Sequence, residues 1–167
     1  MSTPNVNDKN LSVERLMTAL PLETANASEN ALDLAKKMKE KGRGSVVVTE
    51  YSTTTSAESK PGNVPVGIVT ERDIVRRVVA ESKDPQGTKA YDIMSKPLIT
   101  VGPEATIYDA AFIMTKYSIR RLPIVRDNTL LGIITSTDLA RRLYEKNKAD
   151  PSLKAMSRFV DVEKLGE

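Results

Sequence analysis

Gly67-Ile68-Val69-Thr70-Glu71-Arg72-Asp73 and Gly132-Ile133-Ile134-Thr135-Ser136-Thr137-Asp138 share one pattern: glycine, two apolar residues, threonine, two variable positions and aspartate. Each starts in an apolar run of strand length and ends on a hydroxyl followed three positions later by an acid. That is the signature of a strand passing directly into a capped helix. A strand-to-helix turn written twice indicates a duplicated β/α unit, and repeats fix an architecture before any local assignment does.

Outward from the two turns, the self-similarity covers most of the chain. Val13-Glu14-Arg15-Leu16-Met17-Thr18 answers Ala90-Tyr91-Asp92-Ile93-Met94-Ser95, each reading as a short helical turn that ends in methionine and a hydroxyl. Ala31, Leu34, Ala35 and Met38 recur as Ile107, Ala110, Ala111 and Met114, and their i, i+3, i+4, i+7 spacing predicts two amphipathic helices with one buried stripe each. Ser45-Val46-Val47-Val48 answers Leu122-Pro123-Ile124-Val125, and Val66-Gly67-Ile68-Val69 answers Leu131-Gly132-Ile133-Ile134, as paired strands. Between these strands the first copy carries 12 more residues than the second, all within 51–64, where Ser, Thr and Pro61-Gly62-Asn63 predict a mobile hairpin loop. Closing helices are predicted over 71–81 and 136–145, with Ile74, Val75 and Val78 matching Leu139, Ala140 and Leu143.

The repeated unit is therefore strand, helix, strand, strand, helix. One such unit buries little apolar surface alone, whereas two related by a pseudo-twofold press sheets and helices into one sandwich-like α/β module. The boundaries read as a first unit at 11–81, a linker at 82–88 around Asp84-Pro85-Gln86-Gly87, a second unit at 89–145 and a tail at 146–167, irregular or marginally helical.

Composition narrows the chemistry. The 167 residues include no Cys and no His, so there is no thiolate nucleophile, disulfide, imidazole base or common transition-metal ligand. Neither a Walker loop nor a close acidic motif is present. No catalytic residue or metal ligand is assigned, and the chain is not expected to be an enzyme; carboxylate chemistry alone stays open as a third choice. A hydrophobic content of 40% supports a real core. No run reaches the roughly 18 apolar residues of a membrane span, and the opening residues are polar where a signal peptide needs an apolar stretch. A cytoplasmic protein is expected. The net charge of +3 leans mildly toward anionic partners.

Thr70 with Asp73, and Thr135 with Asp138, have two readings. As a helix cap followed by an acidic third residue they need no ligand. As a polar mouth after a strand, the hydroxyl, the backbone N–H groups and the carboxylate suit a ribose. Arg120-Arg121 likewise reads as a solvated basic pair at a helix end, or as a fork for phosphate. Leu98, Ile99, Thr100, Ile119, Pro123 and Ile133 serve equally as core or as an apolar slot for a flat base.

The unit order and the doubled Gly-apolar-apolar-Thr-x-x-Asp segment resemble the tandem cystathionine-β-synthase (CBS) domain pair, over about residues 13–142. The resemblance implies an α/β module with one adenine-nucleotide cleft in each half. It implies that Asp73 and Asp138 hold ribose and that Thr70 and Thr135 fix sugar or phosphate. It also implies that the Arg121-Leu122-Pro123 context, preceded by Arg120, pairs with phosphate. The first copy departs from this pattern: Arg43 aligns with Arg120, Gly44 with Arg121 and Val46 with Pro123, while Glu23 stands at the position of Ile99. The second site is expected to be better for a charged nucleotide, and the first weaker, nucleoside-like or empty.

The leading expectation is a sensor of AMP, ADP or ATP that carries no resident cofactor and shifts a conformational equilibrium in itself or in a regulated protein not identified by the sequence. The resemblance implies a homodimer. The competing expectation is a basic adaptor for nucleic acid, built on Arg76-Arg77, Arg141-Arg142, Lys83, Lys89, Lys146 and Lys148, against which stands the absence of any helix-turn-helix, zinc finger or aromatic-basic platform.

Overall fold

The computed structural model describes residues 11–19, 21–53 and 62–146. The heart of the 51–64 insert and the tail beyond 146 lie outside the described residues, as does Lys148. The order is a 3-10 turn (Val13–Arg15), β1 (Thr18–Ala19), β2 (Thr24–Asn26), α1 (Ala31–Glu40), β3 (Ser45–Ser52), β4 (Gly62–Thr70) and α2 (Glu71–Ile74), which continues as a π-helical turn (Val75–Val79). After the linker come α3 (Ala90–Ile93), α4 (Ile107–Lys116), β5 (Arg121–Arg126), β6 (Thr129–Thr135) and α5 (Ser136–Lys146). Two three-stranded sheets result, in the orders β2-β3-β4 and β1-β6-β5. The chain is thus a mixed α/β fold of two repeats, as the duplicated turns predict.

The long helices form where the spacing places them, and each has the same ends. Asn30 accepts the Asp33 N–H at 2.9 Å, and Thr106 and Asp109 form a reciprocal capping box. At the other end Gly42 and Ser118 take left-handed backbone angles, φ 59° and 54°. The next residue returns its N–H to the helix, Arg43 to the Met38 carbonyl and Ile119 to the Met114 carbonyl, both at 2.9 Å. This is the Schellman stop, which satisfies carbonyls that the helix leaves open. Leu34 and Met38, and in the second copy Ala110 and Met114, are the buried stripes.

The Thr106 hydroxyl and backbone N–H hold the Asp109 carboxyl below its ordinary value. A carboxyl depressed in the folded state contributes stability above its unfolded pKa and loses it as pH falls through the folded one. Thr106→Ala should therefore lower the urea midpoint at neutral pH, since it also removes the cap of α4. The variant should also lose less stability than the parent on acidification, which parallel urea titrations will read.

Two compact units partition the described residues: 11–17, 104–122 and 134–146 in one, and 18–19, 21–53, 62–103 and 123–133 in the other. They do not follow the sequence copies. The opening turn of the first copy lies in the unit of α4, where Val13 N–H reaches the Ala105 carbonyl at 2.8 Å and Ile107 N–H reaches the Leu11 carbonyl at 3.0 Å. In the other unit the opening segment of the second copy does the same for α1: Ala90 N–H bonds Glu29 O at 2.7 Å and Ala31 N–H bonds Thr88 O at 2.8 Å. The linker is a fixed turn, its Asp84 carboxylate accepting from the Gln86 and Gly87 N–H groups.

In the larger unit Leu34, Met38, Val46, Val48, Val69, Val78 and Ile93 form the core under the sheet β2-β3-β4. β3 and β4 pair antiparallel from Ser45↔Thr70 out to Ser52↔Gly62, with a bulge after Val48. The insert expected as a loop is therefore partly a two-stranded arm, since Tyr51, Ser52, Gly62, Asn63 and Val64 are ladder residues. Val and Tyr favour extended backbone, and pairing once begun propagates past the bulge.

The closing helices differ between the copies. Ala80 N–H bonds the Val75 carbonyl, five residues back, at 2.9 Å, so a π turn adds one residue to the first copy's helix. Every later position is rotated: Val78 is fully buried, while its sequence match Leu143 is 60% exposed. Val79 at 64% takes the exposed role of Leu143, while Val75 and its match Ala140 are both exposed. No helix of the described residues is long and apolar enough to cross a membrane.

Candidate functional site

Both strand-to-helix turns adopt one geometry. Asp138 Oδ2 accepts from the Thr135 hydroxyl at 2.6 Å and from the Thr135 N–H at 2.8 Å, and the Asp138 N–H returns to Thr135 Oγ1 at 3.2 Å. In the first copy the Thr70 hydroxyl and N–H donate to Asp73 Oδ2 at 2.6 and 2.8 Å, and the Asp73 N–H returns at 3.3 Å. The first helical N–H is also taken: Ser136 donates to the Arg120 carbonyl at 2.9 Å and Glu71 to the Gly44 carbonyl at 3.2 Å. The capping reading is thus realised in both turns. The helix mouth holds fewer open N–H groups than the ribose reading supposed, because the first and third are bonded within the protein.

The second oxygen distinguishes the copies. Asp73 is buried, and its Oδ1 lies 3.6 Å from Arg77 Nη2. Arg77 in turn donates through Nη1 to the carbonyls of Ile93 and Met94 at 2.6 and 3.0 Å. Asp138 is half-buried where Asp73 is buried. The role of Arg77 was not read from the sequence, although the i, i+4 spacing from Asp73 was a signal for it.

The same hydrogen bonds correct the alignment of the two copies. Ser136 to Arg120 answers Glu71 to Gly44, and the helix stops pair Ile119 with Arg43. Gly44 and Ser45 therefore stand where the second copy has Arg120 and Arg121, Val47 answers Pro123, and Arg43 corresponds to Ile119 rather than to Arg120. The sequence comparison was one residue out because the apolar runs Val46 to Val48 and Leu122 to Val125 match almost equally well in either register.

The other candidates fall as follows. Arg120 is exposed and Arg121 half-buried, at the start of β5 and in the same unit as Thr135 and Asp138. Leu98, Ile99, Thr100, Pro123 and Ile133 belong to the other unit, where Thr100 leads into Val101, whose N–H bonds the Pro123 carbonyl at 3.1 Å. Pro123 and Ile133 are buried, Leu98 and Ile99 half-buried and Thr100 exposed. Arg43, Thr70 and Asp73 share that unit with Glu23, which is half-buried and lies 3.9 Å from Lys41 Nζ. The motif glycine has a packing reason: a Cβ on Gly67 would sit 2.5 Å from Met94 Sδ. Arg77, offered as part of a basic nucleic-acid face, is committed to Asp73 and two carbonyls.

The profile of the CBS domain matches residues 13–80 and 90–145. The chain belongs to the CBS domain family. The CBS domain-containing protein YhcV of Bacillus subtilis is 32% identical over 146 residues, 87% of this chain and 95% of its own. An uncharacterized protein of Methanopyrus kandleri is 42% identical over 117 residues, 70% of this chain but 55% of that protein, so the match spans about half of that relative. Among solved structures, a hexameric CBS-CP12 protein from bloom-forming cyanobacteria superposes with a TM-score of 0.67 at 30% identity, covering 92% of this chain and 88% of that one. A CBS-domain protein from Burkholderia ambifaria gives 0.66 at 27%, over 84% and 96%. CBS domain pairs are commonly regulatory ligand-binding modules, generally without enzymatic activity. The two CBS motifs here are unequal in charge: in the second, β5 begins at Arg121 directly after Arg120, whose carbonyl accepts the Ser136 N–H, and in the first, β3 begins after Gly44, with the motif aspartate tied to Arg77.

Proposed function

We propose that this CBS pair is a regulatory module that senses adenine nucleotides, AMP, ADP or ATP, chiefly through its second motif, and modulates its own assembly or a partner protein. The observation that carries the proposal is the arrangement at the start of α5. Asp138 keeps one carboxylate oxygen outside its cap, and the Ser136 N–H to Arg120 carbonyl bond ties the backbone that carries Arg120 and Arg121 to the first turn of α5. A carboxylate suits two sugar hydroxyls and a guanidinium fork suits phosphate, so a ribose phosphate satisfies both ends. The module needs no resident cofactor in this reading, and a homodimer in the cytoplasm is its setting. Exposed Tyr108 and Phe112, one turn apart on α4, are apolar surface that a second copy would cover.

The test is thermal unfolding with AMP, ADP, ATP, the guanine nucleotides and S-adenosylmethionine. A ligand at about 100 times its dissociation constant adds about 2.7 kcal/mol. We expect adenine nucleotides to raise the midpoint, and no shift with any of them would sink the sensor reading. Calorimetry should then resolve one stronger AMP site per chain, because Gly44 and Ser45 offer no guanidinium and Glu23 adds an acid; two equivalent sites would overturn the asymmetry. Arg121→Ala should weaken AMP binding and leave any DNA association unchanged. Duplex binding that survives near-physiological salt and discriminates sequence would make nucleic acid the principal partner.

A further inference from the structure

We infer that Arg77 is a latch that ties the first ribose-motif carboxylate to the backbone entering the second copy, and that a nucleoside bound at the first motif releases it. The inference rests on the nucleotide reading above and concerns the copy that is poorer for phosphate. Three observations carry it, all within one compact unit. Asp73 uses Oδ2 for the Thr70 cap, which leaves Oδ1 as the oxygen a ribose hydroxyl would need, and that oxygen faces Arg77 at 3.6 Å. The same guanidinium bridges the carbonyls of Ile93 and Met94, at the end of α3. Immediately beyond, Ser95 N–H bonds the Ile68 carbonyl at 2.9 Å, and Met94 packs on Gly67, so the segment lies against the strand that leads into the motif.

Arg77 stands four residues after Asp73, within the π turn at Val75–Val79. In the second copy the corresponding helix stays α. A carboxylate oxygen does not serve a guanidinium and a pair of sugar hydroxyls equally well at once, since each competes for the same lone pairs. A ribose at Asp73 therefore weakens the Arg77 pair and loosens the restraint on the Ile93 and Met94 carbonyls. Binding energy at the first motif becomes a population shift in the crossover segment, the physical content of a switch.

The test is amide hydrogen exchange on the full chain, with adenosine as the probe and Asp138→Ala used to silence the second motif. Without ligand, Arg77→Met should speed exchange of the Met94 and Ser95 amides by about tenfold, with Arg77→Lys intermediate because it keeps a cation. Saturating adenosine should speed the same amides in Asp138→Ala protein. It should change them little in the Asp138→Ala, Arg77→Met double variant, which should also bind adenosine more tightly, by about threefold or more, because the competitor is gone. Unchanged protection in Arg77→Met, or weaker adenosine binding by the double variant, would overturn the latch. If Asp138→Ala protein binds no adenosine while the parent binds AMP, the competition is wrong and the nucleotide reading stands; if the parent binds no adenine compound, that reading fails with it.

Discussion

Asp138→Ala should weaken AMP binding by about 1–3 kcal/mol, roughly a 5- to 150-fold loss, because the ribose hydroxyls lose a charged acceptor. The residue also completes the cap of α5 through Oδ2, so the variant should lose some folding stability as well. The two effects separate in one pair of measurements, AMP titration by calorimetry and urea unfolding without ligand. Asp138→Asn refines the result, since the amide keeps an acceptor for the Thr135 N–H while removing the charge that a diol prefers. A variant that binds AMP as the parent does, and only unfolds more readily, would reduce Asp138 to its capping role.

The largest expected loss of stability comes from Leu34→Ala. Leu34 is fully buried on α1, in a core with Val46, Val69 and Val78 that fixes the strand end carrying Thr70. Large-to-small changes at such sites cost about 2–5 kcal/mol, from lost transfer energy and from the void left behind. That is a large share of the roughly 5–15 kcal/mol by which a domain is stable. Urea titration should show a lower midpoint with an unchanged slope. A loss under about 1 kcal/mol would mean that the surrounding valines collapse into the space and that the core is softer than its burial indicates.

Much of the fold was legible because it is governed by local rules repeated twice. The spacing of Leu34 and Met38, and of Ala110 and Met114, announces the long helices, and Thr70-x-x-Asp73 and Thr135-x-x-Asp138 announce the turns that the capping bonds then realise. Three features were not legible, each for a definite reason. The one-residue register between Gly44-Ser45 and Arg120-Arg121 is decided by helix stops, where a glycine in one copy and Ser118 in the other take the same left-handed angles. The π turn leaves no mark in composition, since Val75 to Val79 is as compatible with an α-helix; burial of Val78 is what selects it. The arm beyond Thr49 looked like a loop because its Ser and Thr content masks residues that pair once the ladder has begun. The candidate site was legible in its chemistry and less so in its asymmetry, because the burial that separates Asp73 from the half-buried Asp138 is set by packing around each turn and not by the motif.

The opening turns make the two copies depend on each other. Each copy supplies the segment that satisfies the start of the other copy's long helix, Leu11 for Ile107 and Thr88 for Ala31. Severing the linker at 82–88 would thus yield two fragments, each missing a piece that only the other can return.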